Sequence, residues 1–177
     1  MENLLSIIKN KQDLFYSNTK KNSFIKEVQK TKCAESILNH FSIEELLSKT
    51  IYTLNDSNKI YISYPLYKTY AIENTYQIIV DRIIQYIFHV LKSFPTFEMH
   101  IDLDSFTATA FQRNMTVFQI YYDTCCKSGL NYDKNSLDRI VIYNTPSVIQ
   151  SLSTLIIKLT DKSIKEKITL LYKQKKE

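Results

Sequence analysis

The sequence predicts an α/β fold with a small, mixed and mostly parallel sheet, helices on both sheet faces and a helical extension at the N-terminus. Three observations lead to this prediction. Short segments rich in β-branched and aromatic residues recur after residue 50, longer amphipathic segments separate them, and the residues before them show only the helical period. Strands that alternate with helices of this length pair in parallel through right-handed crossovers.

The N-terminal extension is predicted to occupy residues 1–49, ahead of a main domain at residues 50–177. Its first helix has a weak apolar stripe, which consists of Leu4, Leu5, Ile8 and Phe15. After a polar linker, a second helix is expected from Phe24 to His40. Ser42 and Glu45 then have the spacing of a capping box, which indicates the start of a third helix.

A hairpin and a long helix are predicted to open the main domain. The segments Ile51–Leu54 and Lys59–Tyr64 are strand-like, and Asn55–Asn58 between them has the composition of a turn. The helix is expected over Glu73–Ser93. Its inward face is predicted to consist of Tyr76, Ile79, Val80, Ile83, Ile87, Val90 and Leu91. Its outward face is predicted to consist of Gln77, Asp81, Gln85 and His89.

The remaining elements alternate regularly. A strand is predicted at Phe97–Leu103, a helix at Thr109–Ser128, a strand at Leu137–Tyr143, a helix at Pro146–Lys158 and a strand at Lys167–Leu171. The apolar stripe of the first of these two helices is expected to be Phe111, Met115, Phe118, Tyr122 and Cys125. This alternation predicts parallel pairing of the last three strands.

Composition excludes several classes of protein. A single glycine, Gly129, rules out the glycine-rich loops that dinucleotide-binding and P-loop folds need. Three cysteines without a CxxC spacing indicate neither a disulfide framework nor a zinc site, and no cofactor is predicted. Thirteen tyrosines and a net charge of +5 accompany no recognisable RNA-binding signature, so nucleic acid is not an expected partner. The absence of a leader-like or bilayer-length apolar run predicts a cytoplasmic protein.

One segment has the residue types of a metal site. On a strand, His100, Asp102 and Asp104 fall on the same face because side chains alternate with period two. An imidazole and two carboxylates are ligands for a divalent metal, and they allow a metal-dependent phosphotransfer enzyme as one hypothesis. The alternative is that both aspartates end the strand and cap the helix that follows near Thr107–Thr109.

The order of motifs in the second half of the chain resembles a known family. An apolar strand ends in Asp102 followed by leucine, the next strand runs into Asn144 and Pro146, and Lys167-Ile-Thr-Leu returns as a strand. Proline suits the first turn of a helix, where its missing N–H is not needed. This layout resembles the CRAL-TRIO lipid-binding domain over about residues 50–172, and is most similar to the branch with the lipid-binding module of neurofibromin and related GTPase-regulator domains.

The resemblance implies a binding protein and not an enzyme. A phospholipid or another hydrophobic small molecule would lie between the sheet and the helix after Pro146, and a membrane surface or a small GTPase would be the docking partner. The implied lining residues are Tyr143, Val148, Leu152, Leu155 and Ile156. The implied head-group residues are Lys158, Lys162 and Lys165. The competing interpretation is a protein-interaction module in which the apolar residues are core, the lysines are a solvated face and side chains fill the pocket.

Overall fold

The computed structural model describes residues 3–19, 26–127, 136–146 and 162–173. The helices in these ranges are α1 (Leu4–Asn18), α2 (Lys26–Leu38), α3 (Ile43–Thr50), α4 (Tyr64–Tyr67), α5 (Glu73–Leu91), α6 (Ala108–Lys127) and α7 (Lys162–Lys165). The strands are β1 (Ile51–Thr53), β2 (Lys59–Ser63), β3 (Phe97–Asp102), β4 (Leu137–Thr145) and β5 (Ile168–Tyr172).

The strands form one five-stranded sheet in the order β1-β2-β3-β4-β5. The first pair is an antiparallel hairpin, and Asp56 in its turn has a φ of 53°. The three other pairs are parallel, so the carboxyl ends of four strands meet at one edge of the sheet. The predicted fold class is confirmed: the chain has an α/β fold with a mixed, mostly parallel sheet that follows N-terminal helices.

One face of the sheet packs into the hydrophobic core. Its central side chains are Ile60, Phe97 and Met99, and residues of α3, α4, α5 and α6 join them in the same buried cluster. The cluster also includes Ile8 of α1 and Ile37 of α2, which are 0% and 1% exposed. The N-terminal helices therefore share their core with the sheet.

Helix α5 follows the sequence prediction closely. All of the residues predicted to face inward are buried apart from Leu91, which is partly buried, and Ile84 joins them. The four predicted outward residues are exposed. A strong apolar stripe over five turns leaves one orientation in which the helix removes its hydrophobic side chains from water.

Helix α6 corrects the sequence prediction. Phe111 and Cys125 are buried as expected, but Phe118 and Tyr122 are 50% and 59% exposed. The helix is rotated because it buries Asn114, whose Oδ1 accepts a 2.6 Å hydrogen bond from the hydroxyl of Tyr67. A buried polar pair outside the apolar stripe thus helps to decide which side of the helix packs inward.

Two local features complete the comparison. One of the two hydrogen bonds of the predicted capping box is confirmed: the backbone N–H of Glu45 donates to Ser42 Oγ over 3.1 Å. The strand predicted to reach Tyr64 ends at Ser63, because Tyr64–Tyr67 form the short helix α4 with Pro65 in its first turn.

Among the helices in the described ranges, none is long and apolar enough to cross a membrane.

Candidate functional site

The sheet face opposite the core has a different chemistry. Strand register places Tyr52 beside Tyr61 and Tyr61 beside His100, and Tyr143 of β4 follows on the same face. We call these four side chains the aromatic row. They run across the strands from β1 to β4, and they alternate along each strand with the apolar residues of the core face.

The rings of the aromatic row are stacked side by side. Their centroids lie 5.4 Å apart for Tyr52 and Tyr61, 4.9 Å for Tyr61 and His100, and 5.8 Å for His100 and Tyr143. The corresponding interplanar angles are 10°, 27° and 22°. Cross-strand aromatic pairs of this kind stabilise a sheet. They also produce a continuous amphipathic surface, because each tyrosine combines an apolar ring with a hydroxyl.

The centre of the row is a hydrogen-bonded chain of three side chains. Nε2 of His100 lies 2.9 Å from Oε2 of Glu98, and Nδ1 lies 2.8 Å from the hydroxyl of Tyr143. His100 is only 5% exposed, whereas Glu98 and Tyr143, the two ends of the chain, are half-buried. Burial raises the pKa of Tyr143, and the neighbouring Tyr61 and Glu98 raise it further, so its hydroxyl stays protonated at neutral pH.

The carboxyl edge of the parallel strands carries a second polar group. Oδ1 of Asp102, at the end of β3, accepts hydrogen bonds from the backbone N–H of Asp104 over 2.9 Å and from Nδ2 of Asn144 over 2.8 Å. Asn144 has a φ of 50°, in the left-handed region that asparagine tolerates better than most residues. Asp102 and Asn144, two of the residues that carry the sequence resemblance, are therefore hydrogen-bonded to each other.

The residues just beyond this edge form ion pairs and hydrogen bonds at the surface. Nζ of Lys173 lies 2.6 Å from Oδ1 of Asp104, and this contact, with a contribution from Lys68, lowers the pKa of Asp104. Nζ of Lys68 donates to Ser105 Oγ over 2.5 Å, and burial lowers the pKa of this lysine. Ser105, in the turn after β3, has a φ of 62°, which costs free energy for a residue with a β-carbon. The hydrogen bond from Lys68 helps to hold the turn in this conformation.

The three residues of the predicted metal site are not brought together by the structure. His100 and Asp102 share a sheet face, but Asp104 lies past the end of β3 and pairs with Lys173. Within the described ranges, no three His, Cys, Asp or Glu side chains come close enough to hold a metal ion. The alternative prediction of helix capping is also corrected, because Thr107 Oγ1 accepts the hydrogen bond from the Ala110 N–H at the start of α6.

Most of the predicted lipid-site residues belong to ranges other than those that the structure describes. Val148, Leu152, Leu155, Ile156 and Lys158 lie outside the described residues, as does the side chain of Lys162. Tyr143 lies in the aromatic row, on the face away from the core. Lys165 is exposed in α7, just before β5.

Sequence reasoning missed the role of Tyr61, Glu98 and His100 as a group. It predicted His100 as a candidate metal ligand and assigned no role to Tyr61 or Glu98. The available signal was that aromatic residues alternate with isoleucine or methionine in β2 and β3. Only the register of the two strands shows that the alternations coincide.

Comparisons with known proteins add no identification. Models of known protein families give no match to the chain, and a search of curated proteins gives no match either.

Proposed function

We propose that this chain is a non-enzymatic binding protein that holds a hydrophobic small molecule against the aromatic row. The proposal rests on one observation: the sheet face opposite the core carries a continuous row of stacked rings that ends in Tyr143, immediately before Asn144-Thr145-Pro146. A phospholipid is the ligand class that the CRAL-TRIO resemblance implies. The direct bond between Asp102 and Asn144 gives those two motif residues a shared structural role, which supports the resemblance.

The physical basis is transfer of an apolar chain from water onto a largely apolar surface. Each buried CH₂ group contributes about 0.8 kcal/mol, so a single acyl chain suffices for measurable binding. The rings supply contact area that loses little conformational entropy, because the stacked neighbours already restrict their rotation. The net charge of +5 favours an anionic membrane surface as the place where the ligand is exchanged.

A second candidate is a protein-interaction module whose face needs no ligand. The observation in its favour is the low exposure of His100, together with the protein partners at both of its ring nitrogens. A polar group that is fully satisfied inside the protein has no unmet hydrogen bond for a ligand to fill.

Native mass spectrometry tests the first proposal against the second. The protein is incubated with vesicles of mixed phospholipids, free fatty acids and fatty alcohols, and any adduct is extracted and identified. We expect a discrete adduct at close to one molecule per chain. An unchanged protein mass after this incubation would contradict ligand binding and favour the interaction module.

A matched pair of variants locates the adduct. Tyr52→Lys introduces a charge at the exposed end of the aromatic row, where Tyr52 is 38% exposed. Tyr122→Lys makes the same change on α6, at a residue that is 59% exposed. We expect the adduct to be lost or weakened only in Tyr52→Lys, and equal adducts in both variants would place the ligand elsewhere.

A further inference from the structure

We propose that Tyr143 selects the polar end of the ligand and that it accepts a hydrogen bond from a hydroxyl, so the ligand is an apolar molecule that ends in an alcohol. This inference rests on the proposed function and narrows its ligand to an apolar alcohol, in place of the phospholipid that the resemblance implies. It follows from the direction of the hydrogen bonds in the chain from Glu98 through His100 to Tyr143.

The carboxylate at one end of this chain sets the direction. An ionised carboxylate only accepts hydrogen bonds, so Nε2 of His100 must donate its proton to Glu98. In the neutral imidazole the other nitrogen, Nδ1, is then an acceptor. With the ring neutral, the hydroxyl proton of Tyr143 is donated to Nδ1, whereas an imidazolium would reverse this bond.

The consequence is that Tyr143 offers a ligand only the lone pairs of its oxygen. A ligand hydroxyl matches this acceptor, whereas a methyl ether brings no proton and a phosphate brings negative charge. Two carboxylates on the same face, Glu98 and Asp102, add to the repulsion of an anion.

The half-buried position of Tyr143 makes this selection effective. His100 is 5% exposed and Glu98 is 16% exposed in its side chain, so water has little access to the inner part of the chain. Tyr143 is more accessible than His100 and lies in β4, two residues before the end of that strand. A hydrogen bond made there is shielded from water, and shielding increases the difference between a ligand with a donor and one without.

The test compares three probes that differ only in the polar group: dodecanol, dodecyl methyl ether and dodecyl phosphate. Isothermal titration calorimetry with the full chain gives a dissociation constant for each. We expect dodecanol to bind about three- to tenfold more tightly than the ether, as one hydrogen bond predicts, and more tightly than the phosphate. Equal affinities for alcohol and ether, or tightest binding of the phosphate, would overturn the inference but leave hydrophobic ligand binding intact. Failure of all three probes to bind would overturn both.

Variants identify the residue responsible. Tyr143→Phe should reduce the alcohol-to-ether preference to about one while the affinity for the ether is unchanged. Tyr122→Phe, the same change on the exposed side of α6, should keep the preference. A Tyr143→Phe protein that still prefers the alcohol would assign the selection to another group.

Glu98 and His100 are positioning residues in this scheme, and a spectroscopic measurement separates that role from simple packing. Nitrogen-15 NMR of the histidine rings should show His100 as the neutral tautomer protonated at Nε2. Glu98→Gln removes the obligatory acceptor and permits either tautomer, so the alcohol preference should fall although Tyr143 is intact. A ring protonated at Nδ1 in the native protein, or an unchanged preference in Glu98→Gln, would contradict the proposed orientation.

Discussion

The two faces of the sheet differ although their residues alternate along the same strands. Ile60 and Tyr61 are neighbours in β2, yet Ile60 is completely buried in the core and Tyr61 lies in the aromatic row. The core face is closed by apolar side chains from several helices, while the other face is organised by ring stacking and by the bonds of His100. One strand thus contributes to the hydrophobic core on one side and to the aromatic row on the other.

The largest effect is expected from mutations in the core face. Ile60→Ala removes three carbons from a site that is 0% exposed and should cost about 2–5 kcal/mol of unfolding free energy, measured by urea denaturation. The neighbouring Tyr61→Phe keeps its ring and should cost about 1 kcal/mol or less. A larger loss in Tyr61→Phe than in Ile60→Ala would reverse the roles assigned to the two faces.

The N-terminal helices provide a second test of where the core lies. Ile8 of α1 is 0% exposed and belongs to the same cluster as Ile60, so Ile8→Ala should also cost about 2–4 kcal/mol. The change should lower the midpoint of a single unfolding transition seen by all probes. Leu14→Ala is the control, since Leu14 is on the same helix and is 63% exposed. A separate early transition in Ile8→Ala would show that α1 and α2 unfold independently of the sheet.

High pH should destabilise the protein through the ionisation of its buried tyrosines. Burial raises the pKa of Tyr16 to about 12 and also raises the pKa values of Tyr67 and Tyr70. A raised pKa contributes stability that is complete below the ordinary tyrosine value of about 10 and is lost as pH rises through the folded-state value. Unfolding free energy should therefore decrease above about pH 10, and Tyr16→Phe should make the decrease between about pH 10 and 12 shallower. A pH profile that is unchanged in Tyr16→Phe would contradict this assignment.

The carboxyl edge should show an intermediate effect. Asn144→Ala removes the hydrogen bond to Asp102 and places a less tolerant residue at a φ of 50°, so we expect a loss of about 2 kcal/mol. Asn144→Gly loses the same hydrogen bond, but glycine adopts a positive φ without steric cost, so this variant should be destabilised by about half as much. Equal losses in the two variants would show that the left-handed backbone has no energetic weight here.

The smallest effect is expected at the surface link between α2 and α6. Arg113 Nε lies 2.6 Å from Glu27 Oε1, but Glu27 is 65% exposed in its side chain. Glu27→Gln should therefore change the unfolding free energy by less than about 1 kcal/mol, and high salt should reduce the difference from the parent protein. A loss comparable to that of Ile8→Ala would mean that this ion pair, and not the apolar core, holds the N-terminal helices in place.

Much of the fold can be predicted from the sequence because its local signals are strong. Helix α5 has an apolar stripe over five turns, and the parallel strands are short apolar runs separated by helices. The prediction failed at α6, where Phe118 and Tyr122 are exposed. The predicted apolar stripe of α6 is present in the sequence. The buried hydrogen bond between Tyr67 and Asn114, which are far apart in the chain, instead favours an orientation of the helix that buries Asn114 and exposes part of that stripe.

The candidate site was less predictable than the fold. Asp102, Asn144 and Tyr143 were selected from their motifs, and the structure brings Asp102 and Asn144 together through a contact of 2.8 Å. The partnership of Glu98, His100 and Tyr143 was not foreseen, because two of these residues lie on β3 and the third lies on β4. A hydrogen bond across strands depends on which residues are opposite each other, and this register cannot be read from the local sequence of either strand.

The sequence by itself determined the fold class, the order of the elements and the alternation of isoleucine or methionine with aromatic and polar residues in the central strands. These properties are local, since side-chain periodicity and turn chemistry depend on near neighbours in the chain. Tertiary structure alone decided that the alternations coincide, placing Tyr52, Tyr61, His100 and Tyr143 in one row. The reason is strand register. A shift of one strand by one residue would turn its side chains to the opposite face of the sheet and so remove its ring from the row.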